Sequence, residues 1–318
     1  MGAALESSAP PNAKPSFKLR LKAWWEGYDV ADLMGETAPP PDPVLAPVAP
    51  AEPKLEDIPP LEQPYIKIAQ AIWGESLVGP GGTSAILTLV KPFALDPSMT
   101  VMDFGSGLGG GTRAVSEEFG VWVNGFDNDA IMATGGQELS IKKGAKKAEI
   151  KPCTIQDFQP KAATYDCIYS SEALYMVPEK EKLLGTFERA LKARGQIALT
   201  DFVRTPGTKD DDPRLKGFVT RGGKAGHFWL GDDYLSKMKA LKFDVRVDED
   251  LTASYRTNVI DAFVNFTQDP VISAAARGHP EELVAEVSLW TKRVAALDSG
   301  ALQLRRYYAI KMGSTKSS

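Results

Sequence analysis

The residues of this sequence best suited to chemistry are glycines and acids grouped around one short stretch. Residues 101–111 read VMDFGSGLGGG, so the apolar residues Val101, Met102 and Phe104 lead directly into a run of glycines. This order predicts a short buried strand, a glycine turn and then a helix. Glycine permits positive φ angles and close approach of the backbone to a ligand. The free N–H groups at the start of the helix would point at that ligand, so the stretch predicts a turn that holds a nucleotide.

Three acids lie at or near the ends of predicted strands, where they suit the same ligand. Asp103 lies within the first strand, Asp127 ends the second, and Asp157 comes just after the third. An ionised carboxylate can accept charge-assisted hydrogen bonds from both hydroxyls of a ribose. Ligands of open parallel sheets bind at the carboxyl ends of the strands. We therefore expect the acids and the glycine turn to meet at one edge of a sheet.

The elements that must position these residues alternate between strand and helix. This alternation predicts an α/β fold, a Rossmann-like and mostly parallel seven-stranded sheet with helices on both faces. Predicted strands cover residues 101–104, 121–127, 149–153, 165–170, 195–202, 243–247 and 306–311. Predicted helical segments cover residues 65–73, 83–93, 112–119, 130–142, 180–191, 234–241 and 258–297.

Composition narrows the function classes. The 318 residues carry a formal charge of −4, which gives no electrostatic reason to expect nucleic-acid binding. Two histidines, His227 and His279, are too few for a histidine-rich metal site. The two cysteines, Cys153 and Cys167, indicate a reducing compartment rather than a disulfide framework. With no apolar run of about 20 residues and no signal-peptide core, the predicted location is the cytoplasm.

The N-terminal part differs in composition from the rest. Residues 1–60 predict a disordered arm rich in Pro and Ala, and residues 61–318 a folded domain. Within the arm, residues 16–34 contain Trp24 and Trp25 beside alternating basic and apolar residues, which predicts a docking segment. Its target is left open among the protein's own domain, a second subunit, a partner protein and an anionic membrane surface.

Two cofactors could use the glycine turn. Gly105, Gly107 and Gly110 satisfy G-x-G-x-x-G, the dinucleotide pattern, and Asp127 lies in range of a ribose. A nicotinamide-dependent enzyme is thus one candidate. Against it, Asp103 occupies a position that is usually apolar in dinucleotide-binding strands, and Gly109 adds a G-x-G-x-G pattern. The chain also lacks a second nucleotide-binding half.

Residues 103–109, DFGSGLG, resemble the first motif of class I S-adenosylmethionine-dependent methyltransferases. The likeness extends in motif order from about residue 65 to residue 311. Residues 73–75 through 81–82, together with 105–111, are similar to the phosphoethanolamine and sarcosine/dimethylglycine N-methyltransferases. This resemblance implies insertions that cap the substrate around residues 61–82, 204–232 and 256–298.

The resemblance implies S-adenosyl-L-methionine as cofactor and S-adenosyl-L-homocysteine as product. The glycine turn would contact the methionine part, Asp103 would orient the turn and the amino group, and Asp127 would bind the ribose. Asn128, Gln156 and Asp157 would flank the adenine. No metal is implied, and the full implied cofactor set is Asp103, Gly105, Ser106, Gly107, Gly109, Asp127, Asn128, Gln156, Asp157, Ser170, Gly81 and Gly82.

The acceptor side departs from the resembled family. A family histidine corresponds to Met176, and two family tyrosines correspond to Phe202 and Phe218, which puts a phosphobase substrate in doubt. We expect Glu172, Tyr175 and His227 to carry the chemistry. Aromatic walls could hold a methylated cation by cation–π contact. The expected substrate-binding set is Tyr65, Trp73, Tyr169, Met176, Phe202, Phe218 and Trp229.

Three functions follow from these observations. The first is methyl transfer to a small molecule, with an amine nitrogen as the expected acceptor. The second is carbon methylation of a lipid or sterol-like acceptor, since an aromatic-rich lid also suits an apolar molecule. The third, of another class, is a catalytically degenerate scaffold that binds S-adenosylmethionine and acts through the N-terminal arm.

Overall fold

The computed structural model describes residues 58–270, 273 and 276–313 of the chain. All of these residues fall in one structural unit, Lys54–Ser318. The docking segment expected at 16–34, and all but the last three residues of the arm expected at 1–60, lie outside the described residues. The arm, its docking and the boundary near residue 61 therefore stay predictions.

Seven strands form one sheet in the order β3-β2-β1-β4-β5-β7-β6. The first five pair in parallel, whereas β7 is antiparallel to both β5 and β6. The prediction of a mostly parallel seven-stranded sheet is confirmed. The strands are β1 (Thr100–Phe104), β2 (Trp122–Asp127), β3 (Ala148–Pro152), β4 (Tyr165–Ser171), β5 (Leu191–Arg204), β6 (Phe243–Asp250) and β7 (Leu302–Lys311).

Helices cover the sheet, and the described ones lie where apolar residues recur at helical spacing. The region predicted as helical over 258–297 is not one continuous helix among the described residues, since one helix ends at Gln268 and another begins at Pro280. The helices are α1 (Pro64–Trp73), α2 (Gly82–Val90), α3 (Gly110–Phe119), α4 (Ala130–Lys142), α5 (Lys180–Ala190), α6 (Gly231–Ala240), α7 (Thr252–Gln268) and α8 (Pro280–Asp298). No described helix combines the length and apolar character needed to cross a membrane.

The core lies on both faces of the sheet. One face packs Met102 and Ile197 against Leu183 and Phe187 of α5. The other packs Val101 and Val123 against elements that include Val115 of α3. Complete burial of a side chain as large as Phe187 contributes roughly 1.5–3 kcal/mol, so these contacts hold the strand ends in fixed positions.

The sheet order reverses between β1 and β4, which are neighbours through the register Asp103↔Tyr169. Such a reversal opens a crevice at the carboxyl ends of the two strands. The glycine turn follows β1, and Glu172 follows β4 directly. The fold therefore brings the glycine turn and Glu172 to the same crevice.

Candidate active site

A cavity of about 630 Å³ lies at this crevice. Its walls come from the glycine turn, the segment between α1 and α2, the turn after β4, residues 221–222 and one face of α8. All three segments expected to cap the substrate thus contribute residues to the walls. Such a volume lies in the usual range for small-molecule sites.

The glycine turn adopts the conformation that its sequence predicts. Gly105, Gly107 and Gly109 have φ angles of 85°, 52° and 73°, which side-chain-bearing residues rarely adopt. A Cβ at Gly105 would lie 2.2 Å from the Ala173 Cβ, and one at Gly109 would lie 1.9 Å from the Ile150 Cδ1. Both positions therefore require glycine for conformation, and Gly105 requires it for space as well.

Asp103 is held firmly beneath the turn. Its Oδ2 accepts hydrogen bonds from the Thr112 Oγ1 at 2.7 Å and from the Tyr169 hydroxyl at 2.8 Å. Burial raises the pKa of this carboxyl to about 6, although both donated hydrogen bonds act to lower it. Tyr169 is fully buried and lies outside the cavity wall, so the structure makes it a support for Asp103 rather than the expected substrate wall.

Asp127 ends β2 and faces the turn. Its Oδ2 accepts from the Gly107 N–H at 2.7 Å, and its Oδ1 accepts from the Asp129 N–H at 2.8 Å. Burial raises the pKa of Asp127 to about 6, while these backbone donors favour the ionised form. The carboxylate is thus oriented through both oxygens, and its binding of ribose hydroxyls stays a prediction.

Glu172 is an acid in the cavity wall. It has a φ of 54°, a strained conformation for a residue with a Cβ, directly after β4. Its Oε2 accepts a hydrogen bond of 2.7 Å from the Tyr255 hydroxyl on α7. Burial raises the pKa of Glu172 to about 7, and the Tyr255 hydrogen bond and the positive charge of Arg293 oppose that rise.

Arg293 on α8 lines the same cavity, and its positive charge acts on the Glu172 carboxyl. Its Nη2 donates to the Tyr175 hydroxyl at 2.9 Å and to the Val219 carbonyl at 2.8 Å. The guanidinium lies 4.8 Å from the centroid of the Trp290 ring and 5.3 Å from that of Phe218. Among the described residues, its Nη1 has no hydrogen-bond acceptor, which leaves one donor group for a ligand.

Tyr175 is positioned by a buried ion pair. Its backbone N–H donates to the Asp201 Oδ1 at 2.7 Å. The Oδ2 of Asp201 accepts from the Lys180 Nζ and from the Tyr234 hydroxyl, both at 2.5 Å. Lys180 and Asp201 have no solvent exposure. The pair therefore fixes the short turn that carries Tyr175 into the cavity wall.

The cavity brings together about half of the residues expected from sequence. Gly81 and Gly109 lie just outside its wall, and Gly109 still shapes the turn. The wall contains the predicted residues Tyr65, Gly82, Asp103, Gly105, Ser106, Gly107, Asp127, Glu172, Tyr175, Met176 and Phe202.

Four expected substrate or cofactor residues have other contacts. The Ser170 hydroxyl donates to the Phe104 carbonyl inside the sheet, and the Trp73 Nε1 donates to the carboxylate of the wall residue Glu286. Phe218 is fully buried in the aromatic cluster under Arg293. Trp229 packs on Tyr234, away from the cavity. Each satisfies its packing or hydrogen bonding within the protein, and none of the four lines the cavity.

The other expected residues outside the wall are exposed. His227 contributes only its backbone N–H, to the Tyr175 carbonyl, and its side chain has no place in the cavity. Asn128, Gln156 and Asp157 are exposed, and the Asp157 carboxylate accepts a hydrogen bond from Thr154. Their adenine contacts stay predictions.

Sequence reasoning missed several wall residues: Ser76, Glu286, Trp290 and Arg293. Glu286, Trp290 and Arg293 share one face of α8, because residues three and four apart lie together on a helix. The charged residues Glu286 and Arg293 on an otherwise apolar helix face were the sequence signal that could have predicted their place in the cavity wall. Ser76 had no comparable signal, since its importance comes from a turn that only the structure shows.

The residues present fit S-adenosylmethionine. A Cβ at Gly105 would occupy space inside the turn, and the carboxylates of Asp103 and Asp127 lie beside the turn. The hydroxyls of Ser76 and Ser106 are buried without a hydrogen-bond partner, and both residues lie in the cavity wall. Among the described residues, no group of three or more His, Cys, Asp or Glu is arranged to hold a metal ion.

Comparison with known proteins agrees with this geometry. Residues 95–252 match the family model described as a methyltransferase domain. Phosphoethanolamine N-methyltransferase 2 of Caenorhabditis elegans is 30% identical over 153 residues, covering 47% of this chain and 34% of that protein. The Plasmodium falciparum phosphoethanolamine N-methyltransferase is 27% identical over 189 residues, covering 59% of this chain and 69% of that one. The chain spans about a third of the length of the first of these relatives.

Solved structures show the same fold. Haemonchus contortus phosphoethanolamine N-methyltransferase 2, in complex with S-adenosyl-L-methionine, superimposes with a TM-score of 0.71 at 20% identity, covering 79% of this chain and 58% of that one. A geranyl diphosphate methyltransferase with geranyl diphosphate and sinefungin gives a TM-score of 0.57 at 15% identity, covering 72% of this chain and 78% of that one. Residues 95–252 therefore match a methyltransferase domain, and this chain is similar to the phosphoethanolamine N-methyltransferases in sequence and fold.

Proposed function

We propose that this protein transfers a methyl group from S-adenosylmethionine to the nitrogen of a small amine. The observation that carries the proposal is the Glu172 carboxylate, held by Tyr255 in the wall of the cavity that the glycine turn also lines. The cofactor supplies a methyl group already activated on a sulfonium. The protein therefore needs mainly to position the acceptor, exclude water and manage one proton.

Position is set by contact between the two turns. Gly105 of the donor turn packs against Ala173, the residue directly after Glu172. The carboxylate is consequently one residue away from the turn expected to hold the cofactor. An ammonium group paired with Glu172 would be brought next to that turn.

Proton management is the second task of Glu172. Most alkylamines are protonated at neutral pH, and only the neutral amine has the lone pair needed for methyl transfer. A base works best when its pKa lies near the working pH. Burial raises the pKa of Glu172 to about 7, so this carboxylate can both attract the ammonium group and accept its proton.

Arg293 in the cavity wall favours an acceptor that also carries a negative group. The Arg293 Nη1 has no acceptor among the described residues, and Arg221 is already paired with Glu286 at 2.5 Å. Phe202 and Phe218 surround this region with rings instead of hydroxyls. We infer a small acceptor with an ammonium at one end and an anionic group at the other. The relatives named for phosphoethanolamine make that compound the first one to test.

The test uses isotope-labelled S-adenosylmethionine and a set of acceptors. The set contains phosphoethanolamine, phosphomonomethylethanolamine and sarcosine, with ethanolamine as a control that lacks the anion. We expect turnover with at least one zwitterionic amine and at least a tenfold loss in Glu172→Gln. The matched control is Glu117→Gln, on an exposed part of α3, which should retain full activity. Transfer to nitrogen that is unchanged in Glu172→Gln would contradict the proposed role of Glu172.

A second candidate is carbon methylation of an apolar acceptor. Phe202, Leu289 and Trp290 give the cavity an extensive apolar surface, which favours this possibility. Turnover with an isoprenoid diphosphate or a sterol, and none with any amine, would select it. A protein that binds S-adenosylhomocysteine but methylates no acceptor would instead support the scaffold function.

A further inference from the structure

Ser76 is an unusual residue in the cavity wall. It has a φ of 67°, although it is not a glycine. Its side chain is buried, with 5% of the residue exposed, and its Oγ has no hydrogen-bond partner among the described residues. Positive φ and a buried hydroxyl without a partner are both unfavourable. Their combination distinguishes Ser76 from the other residues of the cavity wall.

The backbone of Ser76 is fixed from both sides. Its N–H donates to the Gln70 Oε1 at 2.8 Å, and its carbonyl accepts from the Gly110 N–H at 3.2 Å. A Cβ at Gly110 would lie 2.6 Å from that carbonyl oxygen. Ser76 is thereby clamped against the first residue of α3, the ten-residue helix that follows the glycine turn.

The start of α3 offers further donors at the same place. The N–H groups of Gly111 and Thr112 have no backbone acceptor among the described residues, because they belong to the first turn of the helix. Gly111 lines the cavity together with Ser76. A helix N-terminus carries a partial positive charge and favours an anion. The Ser76 hydroxyl and the helix start therefore form one cluster of donors.

An acid lies beside this donor cluster. The Thr112 Oγ1 donates to the Asp103 carboxylate, so this acid contacts a residue that belongs to the donor cluster. A donor cluster next to a carboxylate complements an α-amino acid, which carries a carboxylate and an ammonium on one carbon. The methionine part of S-adenosylmethionine has this structure, and its carboxylate is the only anionic group of the cofactor.

We propose that the Ser76 hydroxyl, with the N-terminus of α3, binds the amino-acid carboxylate of the cofactor. The inference rests on the proposed function for the identity of the cofactor, and it assigns a residue outside the set expected from sequence. It also explains why a serine is kept in a conformation that glycine would adopt more easily.

The test compares two ligands by calorimetry on the full chain. S-Adenosylhomocysteine carries the amino-acid part, whereas 5′-methylthioadenosine lacks its carboxylate and amino group. We expect Ser76→Ala to weaken S-adenosylhomocysteine binding about tenfold and to change methylthioadenosine binding less than twofold. Ser76→Gly, which also relieves the positive φ, should show the same selectivity. Ser84→Ala, an exposed serine on α2, is the control and should change neither affinity.

Thermal unfolding without ligand separates this role from a structural one. Because the Ser76 Oγ makes no hydrogen bond within the described protein, Ser76→Ala should have a melting temperature equal to or above that of the wild type. Equal weakening of both ligands, or no weakening of either, would overturn the inference while leaving the proposed function intact. If the wild type binds no S-adenosylhomocysteine, both fall together.

Discussion

Gly105 and Ala173 join the two halves of the candidate active site. A Cβ at Gly105 would lie only 2.2 Å from the Ala173 Cβ, so the two backbones approach as closely as a glycine allows. Gly105 begins the turn that suits the cofactor, and Ala173 follows the acid that suits the acceptor. A substitution that moves the backbone at Gly105 or Ala173 must therefore also displace the other residue.

Gly105→Ala tests this coupling. The added methyl group would displace Ala173 and with it Glu172, and the φ of 85° would remain strained for alanine. We expect at least a hundredfold loss of methyl transfer. Adding Ala173→Gly removes the clash but keeps the backbone strain, so the double variant should recover part of the activity. A double variant no better than Gly105→Ala would show that strain alone accounts for the loss.

The pH dependence of turnover tests the Tyr255–Glu172 hydrogen bond. If Glu172 acts as the base, activity should rise with pH and level off above its pKa of about 7. Tyr255→Phe removes a donor that favours the ionised carboxylate, so the rising limb should move about one unit to higher pH. Tyr308→Phe, on β7 and outside the cavity wall, serves as the matched control. An unshifted limb in Tyr255→Phe would exclude Glu172 as the titrating base.

The free energy of unfolding should also depend on the protonation state of Glu172. The pKa of Glu172 is raised on folding from 4.5 to about 7, so the folded state disfavours its charge. The contribution of Glu172 to the free energy of unfolding is therefore fully present below about pH 4.5. It is lost as the pH rises toward and through 7. Glu172→Gln should match the wild type near pH 4 and exceed it at pH 8 by up to about 3 kcal/mol. Urea unfolding at the two pH values measures the difference, and equal curves at pH 8 would contradict it.

Breaking the buried ion pair of Lys180 and Asp201 should lower the free energy of unfolding more than breaking a partly exposed ion pair. Lys180→Met leaves the Asp201 carboxylate buried without its cation, which costs about 3–5 kcal/mol. Lys180→Met combined with Asp201→Asn removes both charges and should recover much of that loss, since asparagine can still accept from the Tyr175 N–H. Lys192→Met, which breaks a partly exposed pair with Asp166, should cost less than about 1 kcal/mol. If Lys180→Met and Lys192→Met lowered the free energy of unfolding equally, the expected difference between the buried and the partly exposed pair would be refuted.

Asp127→Asn should impair cofactor binding with little change in shape. Both Asp127 oxygens accept backbone N–H groups, so an amide would place its own NH₂ against a donor. We expect about 1–3 kcal/mol of destabilisation and at least a thirtyfold weaker affinity for S-adenosylhomocysteine in calorimetry. Asp261→Asn, an exposed position on α7, is the control. Unchanged affinity in Asp127→Asn would remove this acid from the cofactor site.

The sequence by itself determined the donor side of this protein. Strand, glycine turn, helix and the acid at the end of β2 are adjacent in the chain, and the physical demands on each are local. Positive φ demands glycine, a buried strand demands apolar residues, and parallel strands bring their carboxyl ends together. The sheet and the positions of Asp103, Gly105 and Asp127 could therefore be predicted.

Only the tertiary structure decided the acceptor side. Tyr255 reaches Glu172 across 83 residues of sequence, and Arg293 reaches Tyr175 across 118. No local pattern specifies which aromatic residue lines a cavity and which, like Tyr169 or Phe218, is buried behind it. That choice depends on how α7 and α8 pack over the sheet. For the same reason, the strained turn at Ser76 and its unsatisfied hydroxyl became visible only once the chain was folded.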